Sequence, residues 1–222
     1  MSIKKISISI LFLLFICKIS AQQHLNPEYI KVTNERAAKI VAKLELSNAT
    51  KETAVSNIIA QQFRDLSKIQ DERDAAIEKL KSSDLSKEKQ KEKIEKCKVK
   101  ADQLIGKLHK SYLKKLGTQL NDAKITEVKD GMTYGVLPIT YAGYQDMLRN
   151  LTEEQKSYIY KNLVEAREHA MDGGSSKEKH AWFGKYKGRI NNYLSAQGYN
   201  LNKESTDWHD RVAAREKNKP KK

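Results

Sequence analysis

The sequence predicts an all-α protein: a long antiparallel helical hairpin packed with a C-terminal helical bundle, plus a small β-hairpin or structured loop near 124–137. Three observations predict it. The 222 residues are 32% charged and hold only 3 Pro and 10 Gly, a composition of helices rather than of sandwiches or low-complexity chains. Apolar residues recur at alternating spacings of three and four over two stretches of about 30 residues each. Ser/Thr-x-x-Glu/Gln boxes open two further helices.

Residues 1–21 read as a secretory signal. Lys4 and Lys5 form a positive start, Ile6 to Cys17 an apolar stretch, and Ser20-Ala21 the small residues before a cut. The stretch is too short for a membrane span, which needs about 20 residues. Leu14 three residues before Cys17 leaves a lipid anchor open, although Phe15 and Ile16 are bulkier than such sites favour. Cleavage after Ala21 removes Lys4, Lys5 and Lys18 and no acids; 42 basic residues become 39 against 28 acidic, leaving +11. Cys97 is then the one remaining cysteine, so no internal disulfide forms, and its place on an apolar stripe makes it a small buried hydrophobe. The mature chain is expected in the periplasm or outside the cell, with no membrane span. Residues 22–217 are expected to form one helical domain.

The first helix is predicted over 29–46. Asn48 caps the next, about 50–81, whose seam is Val55, Ile59, Phe63, Leu66, Ile69, Ala76, Ile77 and Leu80. Ser82, Ser83 and Asp84 break the pattern. A helix over about 86–117 follows, with Ile94, Cys97, Ala101, Leu104, Ile105, Leu108, Tyr112 and Leu116 on its seam. The equal stripes and short turn predict the hairpin. Asp130-Gly131 between Ile125-Thr-Glu-Val128 and Met132-Thr-Tyr134 predicts the β-hairpin or loop, and Pro138 stops a helix there. The bundle spans about 140–217. It starts with a helix over Thr140–Asn150. Thr152 with Gln155 opens the next, which ends at Gly173-Gly174. Ser175 with Glu178 opens another, ended by Gly198. A last helix covers about 206–217, and residues 218–222 form a basic tail.

Two helix faces carry the functional candidates. In the 175–197 helix, Phe183, Ile190 and Leu194 form the core stripe. Trp182, Tyr186, Arg189 and Tyr193 form a second stripe turned roughly 90° from it. Facing solvent, aromatics beside a guanidinium suit a saccharide: the flat apolar face of the sugar stacks on a ring, and the cation pairs with hydroxyls or a uronate. The competing explanation is that these rings only widen the buried face. Gly184 and Gly188 lie on the opposite side and would admit another backbone.

In the preceding helix, Ile159, Leu163, Ala166 and Ala170 face the core. Tyr158, Asn162, Glu165 and His169 form an adjacent polar stripe. Glu165 and His169, four apart, could share a divalent metal with His180 or act as acid and base. A plain surface pair is the simpler reading, and no metal or other cofactor is assigned. The chain has no Gly-rich phosphate loop, G-x-S-x-G elbow, HExxH or C-x-x-C, and no catalytic residue is assigned.

From Tyr141 to Leu201 the sequence resembles a known family. The matching elements are Leu151-Thr-Glu-Glu-Gln155, Glu165-Ala-Arg-Glu168, Ala170-Met171, the break at 173–176, Phe183-Gly-Lys-Tyr186-Lys-Gly188, Ile190-Asn-Asn-Tyr193-Leu-Ser195 and Gly198-Tyr199. The family comprises exported bacterial helical proteins of unknown function, described as sugar-binding and found beside polysaccharide-degrading enzymes. The resemblance implies an exported, non-catalytic carbohydrate-binding or accessory protein of polysaccharide utilisation. A polysaccharide or oligosaccharide would be its partner, and nucleic acid is not expected. The charge of +11 is compatible with an acidic glycan. Leu151-Thr-x-x-Gln155 also resembles the LTxxQ motif of small periplasmic helical chaperones, which gives a chaperone or scaffold as the alternative. A polysaccharide hydrolase or lyase using Glu165, His169 and Tyr158 is a second one.

Overall fold

A computed structural model describes residues 26–217; the predicted export signal over 1–21, Cys17 and the tail at 218–222 lie outside the described residues. The protein is all-helical, and the described residues hold no strand. Its helices are α1 Pro27–Val41, α2 Ala49–Lys81, α3 Lys87–Gly117, α4 Asp122–Met132, α5 Val136–Met147, α6 Glu153–Met171, α7 Ser176–Ala196 and α8 Leu201–Lys217. They group into two compact units divided between Val128 and Lys129.

In the first unit, Asn26 caps α1 by accepting from the Glu28 N–H at 3.0 Å, and Pro27 takes a first-turn position that needs no donor. The helix ends at Val41, earlier than the periodicity predicts, and the chain turns through Glu45 at φ 50°. Leu44 is buried at 1% exposure in that turn, so the apolar pattern outlasts the helix. Asn48 accepts from the Lys51 N–H at 2.9 Å and starts α2. Helix α2 packs against both α1 and α3. Arg64 fastens α1 by donating to Thr33 Oγ1 at 3.0 Å and Asn34 Oδ1 at 3.1 Å.

The seam of α2 differs in two places from the apolar reading. Gln62 and Gln70 are buried, whereas Phe63 and Ile69 are half-buried. The positions 59, 62, 66 and 70 keep the spacing of three and four, so geometry chooses the buried position and the glutamines occupy it. Between residues 71 and 100 only Gln90 is buried. Its Nε2 donates to the Ser83 carbonyl at 2.9 Å and ties the turn between α2 and α3. Cys97 is half-buried here.

The segment 124–137 is a correction: it is helix and tight turn, not a β-hairpin. Asn121 Oδ1 accepts from the Lys124 N–H at 2.9 Å and starts α4. Ile125, Val128 and Met132 then lie on one helical face, with Val128 and Met132 buried. Asp130-Gly131 falls inside the last turn of α4. The reversal comes later, where Tyr134 and Gly135 both take positive φ, 60° and 68°. Pro138 is the third residue of α5, where its missing N–H costs nothing, so it helps begin a helix.

In the second unit, α6 packs along α7, α5 packs on α6, and α8 touches α5 and α7. Leu148, Ile159, Leu163, Phe183, Ile190 and Leu194 share one buried cluster. Both capping boxes form as the sequence predicts, at Thr152/Gln155 and Ser175/Glu178. The buried Lys179 ammonium donates to the Ala170 carbonyl at 3.0 Å and the Met171 carbonyl at 3.1 Å, so a cation sits on the negative end of α6. Helix α8 begins earlier than predicted because Asn200 accepts from the Lys203 N–H at 3.1 Å. None of its residues is buried. Polar clamps hold it: Trp208 Nε1 donates to Asp146 Oδ2 at 2.7 Å, and Arg211 donates to the Asp146 and Met147 carbonyls at 3.1 Å each.

Candidate functional site

The two stripes singled out in the sequence meet each other. Each is turned to the side of its own core stripe, and the two turned sides face across the contact between α6 and α7. The result is a ladder. The His169 ring lies flat on Trp182, centroids 4.3 Å apart and planes 15° apart, with Tyr186 beside it at 6.0 Å. Arg189 NH1 donates to Glu165 Oε2 and Asn162 Oδ1, both at 3.4 Å, and the guanidinium lies 4.6 Å from the Tyr186 ring centre. Tyr193 stacks on Tyr158 with centroids 3.9 Å apart. All eight residues belong to one seam.

This arrangement corrects one expectation. Trp182, Tyr186, Arg189 and Tyr193 do not look outward as a bare platform. Tyr186 is buried at 5% exposure, and Trp182 and Tyr193 are half-buried against partner rings. The helical wheel locates the stripe but not its neighbour, and the neighbour is α6. The open part of the seam is its middle and rim. There the Arg189 and Glu165 side chains remain 48% and 58% exposed, and His169 is exposed. Asn162 is buried, its Nδ2 donating to the Tyr158 carbonyl at 2.9 Å. Burial raises the Tyr186 hydroxyl pKa, and the Glu165 carboxylate beside it raises it further.

Glu165 and His169 do not converge on one point: Glu165 faces Arg189 and His169 faces Trp182. His180, the candidate third ligand, stacks on Tyr134 instead. Gly184 and Gly188 are exposed, and a Cβ added at either would meet nothing within 4 Å among the described residues, so neither admits a backbone of this chain.

Sequence reasoning missed the support behind these elements. Arg167, at 4% exposure, donates to Asp130 Oδ1 at 2.9 Å, and Lys129 pairs with Glu168 at 2.7 Å. Two Lys/Arg–carboxylate pairs separated by 37 and 39 positions leave no local pattern to read.

Residues 30–214 match a family described as protein of unknown function (DUF3826). The chain belongs to this family. No curated protein matches its sequence. The DUF3826 match includes the whole of α2 to α7, and therefore both sides of the ladder. Within this DUF3826 chain the LTxxQ element forms a capping box, and Gln155 Oε1 also accepts from the Tyr199 hydroxyl at 3.0 Å. Leu151 is buried, Thr152 Oγ1 accepts from the Gln155 N–H at 3.2 Å, and Gln155 Oε1 accepts from the Thr152 N–H at 3.0 Å. Among the described residues no helix is long and apolar enough to cross a membrane.

Proposed function

We propose that this chain is an exported, non-catalytic carbohydrate-binding protein that accompanies polysaccharide breakdown, and that its glycan lies along the α6–α7 seam. The signal-like residues 1–21 support export. One observation carries the binding reading: a half-exposed Arg189–Glu165 pair set between aromatic pairs. Planar guanidinium and carboxylate groups recognise vicinal hydroxyls or a uronate through paired hydrogen bonds. Half of each group already faces water, so a glycan replaces solvent rather than breaking a buried contact. From Trp182 to Tyr193 the helix rises about 16 Å, room for a short oligosaccharide. The basic surplus favours an acidic glycan over a neutral one.

Titration calorimetry tests this with polygalacturonate, alginate and a neutral β-glucan. Binding is expected to an acidic glycan, weakened about tenfold or more by Arg189→Ala and by Trp182→Ala, the scale set by a charge-assisted hydrogen bond or an aromatic contact. No heat with any of the three removes the proposal, and binding that survives both substitutions removes the α6–α7 seam as the place where the glycan lies.

A further inference from the structure

The turn between α4 and α5 displays an aromatic ring at a cost to the backbone. Tyr134 takes φ 60° and Gly135 φ 68°. A bulky side chain is rare in that region, which glycine or asparagine occupies more readily. Yet Tyr134 is 57% exposed, so no core packing offsets the strain. The contrast with Tyr144 and Tyr186, at 6% and 5%, is sharp.

The surroundings hold this turn in place. The fully buried Thr133 donates from Oγ1 to the Lys129 carbonyl at 2.8 Å. The Gly135 N–H donates to the Asp130 carbonyl at 2.8 Å. Asp130 in turn takes a 2.9 Å bond from the buried Arg167. The His180 imidazole lies parallel to the Tyr134 ring, planes 13° apart and centroids 6.0 Å apart, an offset step rather than a closed stack. Ile139, 69% exposed, lies against the same turn, its Cδ1 3.8 Å from where a Cβ on Gly135 would sit. A strained conformation fixed by buried groups and spent on an exposed ring is the pattern of a functional position.

We infer that Tyr134, with His180 and Ile139, is a second saccharide contact, a platform for one sugar ring separate from the α6–α7 seam. This rests on the carbohydrate reading above. Two rings and one isoleucine form a patch far below the roughly 1,000 Å² that a stable protein interface needs, and one pyranose face matches it. A rigid aromatic loses little freedom when a sugar stacks on it. His180 and Trp182 are two residues apart on α7 and so point about 200° apart round the helix. The platform and the seam therefore face different sides of α7, and one long glycan or two strands can engage both.

The test uses the full chain with polygalacturonate, alginate and a neutral β-glucan, each as polymer and as hexasaccharide. Three variants are compared: Tyr134→Ala, Tyr134→Phe and Tyr134→Gly. The glycine variant releases the backbone strain, so its thermal midpoint should rise, and a binding loss cannot then be blamed on unfolding. Polymer affinity is expected to fall about tenfold in the alanine and glycine variants, the scale of one aromatic contact, and to persist in the phenylalanine variant. Wild-type affinity in Tyr134→Gly overturns the platform and leaves the seam standing, provided Arg189→Ala still weakens binding. Loss at Tyr134 with no effect at Trp182 or Arg189 upholds the platform and overturns the seam. No binding by the wild-type protein overturns both.

Discussion

Asp146 and Arg215 meet in a two-pronged ion pair, with guanidinium-to-carboxylate distances of 2.8 and 3.0 Å. Arg215 and the Trp208 N–H hold the Asp146 carboxyl at about 2, below its ordinary 3.8. A carboxyl depressed by folding stabilises the fold above its unfolded pKa and loses that contribution as pH falls through the folded value. The contribution of Asp146 is therefore complete above about pH 5 and fades between about pH 4 and 2. Asp146→Asn should lower the thermal midpoint at pH 7 and make little difference at pH 2. An equal effect at both values would show that the pair is not the cause.

Lys179 spans the turn between α6 and α7 from inside the fold. Replacement by Met keeps the length and removes the donors, leaving the Ala170 and Met171 carbonyls without that partner. The expected loss is about 1–3 kcal/mol in urea unfolding. A loss below about 0.5 kcal/mol would mean that water satisfies those carbonyls as well.

Gly184 and Gly188 weaken a helix they do not otherwise serve. With open space where a Cβ would go, Gly184→Ala and Gly188→Ala should each raise stability by about 0.5–1 kcal/mol. Denaturant titration reads this directly. Stabilised variants with unchanged glycan binding would separate this face, which Gly184 shares with His180 four residues earlier, from the α6–α7 seam.

The Arg189–Glu165 pair should matter little to the fold. Its side chains are 48% and 58% exposed, and exposed pairs contribute at most about 1 kcal/mol. A double-mutant cycle with Arg189→Gln and Glu165→Gln should give a coupling below that in thermal unfolding. A coupling above about 2 kcal/mol would identify the pair as structural.

Much of the fold was legible because its causes are local. Asn48, Thr152 and Ser175 each satisfy backbone donors within their own first turn, so the start of each helix is written beside it. In the segment 124–137 the sequence signals conflict, since Asp130-Gly131 is a strong short-range turn signal. The Asn121 cap and the face of Val128 and Met132 outweigh it. The eight seam residues were legible as two stripes, since each follows helical spacing. Their stacking on one another was not, because pairs such as Tyr158–Tyr193 form only after α6 and α7 pack. Nothing in the sequence announces the positive φ at Tyr134.

The two-helix arm of residues 71–100, where Gln90 alone is enclosed, sets a gradient of opening along the molecule. Amide hydrogens near its tip should exchange with solvent first and those near Val55 and Leu116 last, since local unfolding follows enclosed apolar surface. The arm is thus built to fray at its far end while its root, three helices thick, stays shut.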